Sequence, residues 1–216
     1  MSLIELKNVS KSYNNIHLFE KVNIKIEKGG IYGVIGHNGS GKSVLFKMIC
    51  GFIEPDEGEV IIDPAYRSKH SKFPDNFGII IDRPGFIANK TGFENLRRLA
   101  QIQKKISDQD IIKTMKKVGL RHDATQKMKD YSLGMKQKIA ISQAIMEDQE
   151  ILILDEPFNA LDIDSVEIIR ALLLNFKKEG KTIILTSHNR EDIDILCDRI
   201  FRIQNQKLEE VSNLDS

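Results

Sequence analysis

No stretch of this 216-residue sequence approaches the roughly 20 consecutive apolar residues that a membrane-crossing helix needs. The opening MSLIELKNVS carries no secretory leader pattern. Charge of one sign is missing too: the formal net charge is +1, with no basic arm and no long run of like charge, so nucleic-acid binding has no electrostatic support and none is expected. Cysteine is scarce. Cys50 and Cys197 stand far apart without metal-ligand spacing, which reads as two small apolar side chains in a reducing compartment. Internal repeats and low-complexity tracts are absent as well. These absences predict a soluble, cytoplasmic chain. What is there, 41% hydrophobic and 29% charged residues, suits one globular domain or one domain with a small insertion.

Val22, Ile24 and Ile26 alternate with Asn23, Lys25 and Glu27, the period of a half-buried strand. After KGG, IYGVIG is apolar on both faces and reads as a buried strand. The pattern turns helical over 42–49 and EPDEG stops it; further strands are expected over 59–62 and 78–81. Residues from about 91 to 129 read as almost wholly helical, with Leu96, Leu99 and Ile102 evenly spaced and Ile111, Met115 and Val118 marking a second helix closed by Gly119. Alternation then resumes: a helix after Ser132, the buried strand ILILD, a helix from about Ser165 to Lys178 closed by Gly180, and the strand TIILT. Strands alternating with helices predict an α/β fold with a parallel core, interrupted by a helical subdomain.

GHNGSGKS, Gly36 to Ser43, fits G-x-x-x-x-G-K-[ST] between a buried strand and a helix, as that motif requires. A chance match in a chain of this length has odds on the order of 1%. The backbone of Gly36, His37, Asn38, Gly39, Ser40 and Gly41 would curl around a phosphate chain. Lys42 would reach the β- and γ-phosphates, and the Ser43 hydroxyl would join a Mg²⁺ shell. YSLGMKQK, Tyr131 to Lys138, places Ser132 to cap an amphipathic helix and Gly134 to bare its first turn, an end that attracts anions.

ILILDEP ends an apolar strand in Asp155 and Glu156. Neighbouring side chains on a strand point to opposite faces, and an open parallel sheet binds ligands at the carboxyl ends of its strands, so both acids are expected beside the phosphate loop. Asp155 would hold Mg²⁺ through water. Glu156 would sit beyond the γ-phosphate, able to orient or deprotonate an attacking water. TIILTSH ends a second apolar strand in His188, which is either structural or a hydrogen-bond partner for the γ-phosphate.

In this order and spacing, the phosphate loop, helical block, YSLGM, ILILDEP, NALD and His188 resemble the ATP-binding cassette family, specifically the nucleotide-binding subunit of an ABC transporter, over nearly the whole chain. The resemblance implies a phosphate-loop NTPase core with a mainly parallel sheet over about 1–90 and 135–216, an N-terminal antiparallel β part, and the helical subdomain over about 91–134. It implies ATP and Mg²⁺, and two cassettes, identical or not, packed head to tail around two ATP molecules. YSLGM stands where the family usually has L-S-G-G-Q, so Ser132 and the Gly134 N–H would meet the γ-phosphate held by the opposite subunit, with Leu133 and Met135 at the same interface. NALD matches the family's D-loop and would carry Asp162 across that interface. Tyr13, in SKSY, would stack on adenine, although on its residues alone it could equally be strand-end core. IIIDRPGF occupies the loop whose usual glutamine helps place Mg²⁺ and couples to the membrane partner; Asp82 takes that position.

Three departures bear on this. Val44 replaces the usual second hydroxyl after the loop lysine, removing a hydrogen bond of typically ~1 kcal/mol, enough to lower ATP affinity several-fold without abolishing it. Leu133 and Met135 replace Gly and Gln but leave the expected contacts of Ser132 and Gly134. Asp82 shortens the arm and adds negative charge, either neutralised by Mg²⁺ or turned away. The hydrolytic set Lys42, Glu156 and His188 is retained. The resemblance therefore implies ATP hydrolysis driving transport, with export expected, through a separate integral membrane permease docked around Asp82 to Glu94 at the inner face of the cell membrane. PGF followed by TGFENL resembles bacterial exporters of peptide antibiotics. Two other readings stay open: a soluble ABC-type ATPase acting on a protein assembly or nucleic acid, and a nucleotide-gated subunit with little hydrolysis.

Overall fold

The computed structural model describes residues 2–13, 16–68, 73–82 and 85–211. In chain order its elements are β1 (Ser2–Tyr13), β2 (Ile16–Glu27), β3 (Gly30–Ile35), α1 (Lys42–Ile49), β4 (Glu57–Ile62), β5 (Phe77–Ile80), α2 (Gly92–Gln103), α3 (Asp108–Lys117), α4 (Leu133–Ile145), β6 (Ile151–Leu154), α5 (Ile163–Lys178), β7 (Thr182–Leu185), α6 (Arg190–Leu196), β8 (Arg199–Gln204) and β9 (Lys207–Val211). A six-stranded sheet has the order β5-β6-β7-β3-β8-β9, parallel throughout except for β9 at one edge. A second, antiparallel sheet of three strands has the order β2-β1-β4.

The central strands lack polar alternation because both faces of the larger sheet are covered. Along β6, Ile151 and Ile153 join a core with α1 and the three-stranded sheet, whereas Leu152 and Leu154 join a core with α4 and the helical block. Gly78 sets how closely the second layer approaches: a Cβ there would stand 1.9 Å from the Ala144 carbonyl oxygen, so α4 lies directly on β5. The same helix packs against α2 and α3, joining the helical block to the sheet.

The stretch expected to be almost wholly helical holds the two helices expected within it but loses helix beyond the second. Lys104 ends α2 in a left-handed conformation (φ 54°), and Ser107 opens α3 with a capping box completed by Asp110. Beyond α3, residues 118–127 hold no helix. Leu96 is buried but Ile102 is 77% exposed. Steps of three residues drift by about 60° each around a helix, which carries Ile102 off the buried face. Four elements carried too little pattern to be expected individually: β1 with its bulges, the short α6, and the β8–β9 hairpin, whose turn residues Asn205 (φ 48°) and Gln206 (φ 64°) are both left-handed. Both cysteines are free, and burial pushes each thiol up to about 12. Among the described residues no helix is long and apolar enough to cross a membrane.

Candidate functional site

β3 delivers the chain into the glycine-rich loop, and α1 leaves it with its first N–H groups unpaired within the helix. Gly41 takes φ 104° and lies against Phe19, where a Cβ would come within 2.9 Å of the ring. Lys42 Nζ donates to the carbonyls of Gly36 (2.8 Å) and His37 (3.2 Å), so the ammonium sits over the loop itself. His37, Asn38 and Gly39 are exposed, while Ser40 is buried with its Oγ unbonded. Val44 is half-buried and packs on the core beneath the three-stranded sheet.

The loop meets the acid pair through hydroxyls. Ser43 Oγ donates to Asp155 Oδ2 at 2.5 Å, and Thr186 Oγ1 donates to Asp155 Oδ1 at 2.8 Å. Thr186 Oγ1 also accepts from the Glu156 N–H at 2.8 Å. Glu156 turns the chain at φ 51°, and its carboxylate is 15% exposed. Its Oε2 accepts from the His188 N–H (3.1 Å); Oε1 lies 3.3 Å from His188 Nε2 without hydrogen-bond alignment and is otherwise unpartnered. Burial raises the Glu156 carboxyl above its ordinary value; the charge of Asp155 adds to this, while His188 and Lys42 oppose it. A buried carboxylate of raised proton affinity beside an anion-binding loop is equipped to take a proton from water.

The His188 loop is fixed from behind. Ser187 Oγ donates to Asp192 Oδ2 at 2.6 Å, and Asp192 pairs with Arg170 at 2.6 Å, both side chains nearly fully buried. Removing one partner of such a buried pair costs about 3–5 kcal/mol. Thr186, Arg170 and Asp192 were not singled out by sequence reasoning. TSH directly after an apolar strand was the available signal for Thr186, whereas nothing local marks the other two.

A second group gathers around the 156–162 turn. Ser132 caps α4, its Oγ accepting from the Met135 N–H at 3.1 Å. Leu133 is 62% exposed and Met135 half-buried. Gly134 faces the turn so closely that a Cβ would stand 2.6 Å from the Ala160 carbonyl oxygen. Asp162 caps α5 by accepting from the Ser165 N–H at 2.8 Å, and hydrogen bonding to the Ser165 hydroxyl first and this N–H second lowers its carboxyl below the ordinary value.

Asp82 does not join Ser43 and Asp155. Its carboxylate pairs with Lys47 at 2.7 Å and is 59% exposed. Arg83 and Pro84 of the same loop lie outside the described residues. Tyr13 is 43% exposed, with Lys11 Nζ 5.2 Å from its ring centroid, so the ring is not core. Ser43 and Asp155 present hard oxygen donors of the kind that hold Mg²⁺ together with phosphate and water.

The family model described as ABC transporter matches residues 19–159. Over 207 residues the chain is 40% identical to the "Uncharacterized ABC transporter ATP-binding protein YybJ" of Bacillus subtilis (strain 168), covering 96% of this chain and 95% of that one. It is 38% identical over 200 residues to the bacitracin transport ATP-binding protein BcrA of Enterococcus faecalis, covering 92% of this chain and 65% of the relative. Among solved structures, dimeric MJ0796, a bacterial ABC transporter cassette, matches with a TM-score of 0.82 at 26% identity, covering 99% of each chain.

Proposed function

The chain belongs to the ABC transporter family as an ATP-binding subunit, and from that premise we propose how its residues turn ATP over and to what end. The Ser43–Asp155 hydrogen bond carries this reading, because it joins the phosphate loop and the acid pair in one site. The loop from Gly36 to Gly41 wraps the triphosphate with backbone N–H groups, and Lys42 exchanges its two carbonyl partners for β- and γ-phosphate oxygens. Ser43 and Asp155 would hold Mg²⁺, which would neutralise phosphate charge when bound. Glu156 orients the attacking water and takes its proton. His188, anchored by its N–H to Glu156, turns its exposed imidazole to a γ-phosphate oxygen. Tyr13 covers the adenine.

Two cassettes close head to tail, Ser132 and the Gly134 N–H of each meeting the γ-phosphate bound by the other, with Leu133, Met135 and Asp162 in the interface. The exposed Leu133 and the dimeric state of the MJ0796 cassette support this pairing. Hydrolysis removes the charge that joins the halves. The motion passes through the helical subdomain, about 91–134, to a separate integral membrane permease. A cleft of about 360 Å³, lined by Phe86, Ile87, Arg98, Leu99, Ile102 and Gln143, supports docking there: it borders the 85–94 segment, and Ile87 and Ile102 expose apolar surface in it. Docking holds the chain at the inner face of the cell membrane. The bacitracin-transport relative supports export of a peptide antibiotic.

Glu156→Gln tests the site. With the base removed, turnover falls by about 100-fold or more, ATP stays bound, and the protein accumulates as a dimer on size exclusion with ATP and Mg²⁺. A variant that remains monomeric at saturating ATP, or keeps the wild-type rate, defeats this reading.

A further inference from the structure

Within its own chain α4 reaches past the surface formed by Ser132 and Gly134. One turn further on, the half-buried Gln137 extends to the start of the 156–162 turn, where its Nε2 donates to the carbonyl oxygens of Glu156 (3.2 Å) and Pro157 (3.0 Å). Two carbonyl acceptors can be satisfied only by the NH₂ end of the amide, so chemistry fixes its orientation. The residue it grips is strained: Glu156 sits at φ 51°, a conformation that a non-glycine residue keeps only where its surroundings enforce it.

The enforcing bonds come from three directions. Thr186 holds the Glu156 N–H from the end of β7, the Asn159 N–H closes the turn onto the Glu156 carbonyl at 3.2 Å, and Gln137 bonds the same carbonyl from α4. The first two belong to the sheet end and to the turn itself. Gln137 brings in a separate element, and the contact of Gly134 with Ala160 leaves no room between that element and the turn.

We propose that Gln137 is a positioning residue for Glu156, locking the helix whose tip meets the opposite subunit's ATP to the backbone that carries the base for this subunit's own ATP. This rests on the dimeric ATPase reading above, because it needs the tip of α4 to face the opposite site. Capture of the opposite nucleotide and placement of the Glu156 carboxylate then become one movement, and turnover at the two sites is coupled.

The test compares wild type with Gln137→Ala, Gln137→Glu and Gln137→Arg in the full chain by ATP titration of the steady-state rate, with melting curves alongside. Glutamate keeps the size but offers acceptors to two carbonyls, whereas arginine keeps N–H donors. The alanine and glutamate variants lower kcat about tenfold through misplacement of the base. Their KM for ATP stays within about twofold of wild type, because Gln137 touches no nucleotide, and the Hill coefficient falls toward unity. Arginine restores most of kcat. A merely structural role would lower melting temperature without separating arginine from glutamate. If the glutamate variant does not fold, kcat of the alanine variant decides. Wild-type kcat and Hill coefficient in the alanine variant, or an arginine variant no better than alanine, overturn the positioning role while leaving the ATPase reading intact. A wild-type chain that neither binds nor hydrolyses ATP overturns the ATPase reading and this role with it.

Discussion

Thr186 is fully buried between the two acids, donating to Asp155 and accepting from the Glu156 backbone through one hydroxyl. Ser43, Lys42, Asp155 and Glu156 were legible in the sequence because their chemistry depends on short, fixed spacings within a single strand–loop–helix or strand end. Thr186 and Gln137 were not, since each acts on residues brought to it by tertiary folding, 31 and 30 positions away for Thr186 and 19 and 20 for Gln137. Asp82 shows the converse: its place in a motif pointed to a metal, but its carboxylate is engaged by Lys47. Tyr13 is ambiguous from its sequence neighbours alone, and its exposure takes it out of the core. Stacking of an aromatic ring on a base contributes about 1–3 kcal/mol, so Tyr13→Ala should raise the ATP Kd roughly tenfold with little change in limiting rate. Equilibrium binding of a fluorescent ATP analogue checks this, and an unchanged Kd would leave Tyr13 as no more than a partner for Lys11.

The helices owe their ends to caps that periodicity does not reveal. Around α2, the Thr91 N–H donates to Glu94 Oε2 at 2.7 Å, the Glu94 N–H donates to Thr91 Oγ1 at 3.1 Å, and Lys90 donates to Glu94 Oε1 at 2.9 Å. The backbone bond from Thr91, with Lys90 second, lowers the Glu94 carboxyl from 4.5 to about 2. A carboxylate depressed in the folded state stabilises fully above its unfolded value and loses that contribution as pH falls through its folded value. Glu94→Ala should therefore lower the melting temperature at neutral pH, and the gap from wild type should close as pH falls from 4.5 toward 2. Melting curves across that range provide the check; a gap independent of pH would mean that helix propensity, not the capping charge, is responsible. The comparable Ser107–Asp110 box sets where the second of the two expected helices begins: SDQD is a readable start signal inside a pattern dominated by its apolar residues. The parallel core was easier to anticipate, since ILIL and TIIL are apolar on both faces for the physical reason that both faces are covered.

At the scale of the molecule, the sheet divides two cores, and the helical block joins one of them through α4 and β5. Ile102, too exposed to belong to either, marks the cleft proposed for the membrane partner. Affinity capture of Glu156→Gln from detergent-solubilised host membranes with ATP and Mg²⁺ should recover a polytopic membrane protein. Adding Ile102→Asp should abolish that recovery while leaving ATP binding intact. Recovery of soluble partners alone would favour an ATPase that works on a soluble assembly. The double duty proposed for α4 would also decide which copy suffers from a defect. In the proposed dimer, with one normal and one altered chain, a Ser132 change should harm the site of its normal neighbour, whereas a Gln137 change should harm the site of its own chain. Expressed beside a wild-type copy, the first should act as a poison passed to others and the second as a private injury, although the two residues lie little more than one helical turn apart.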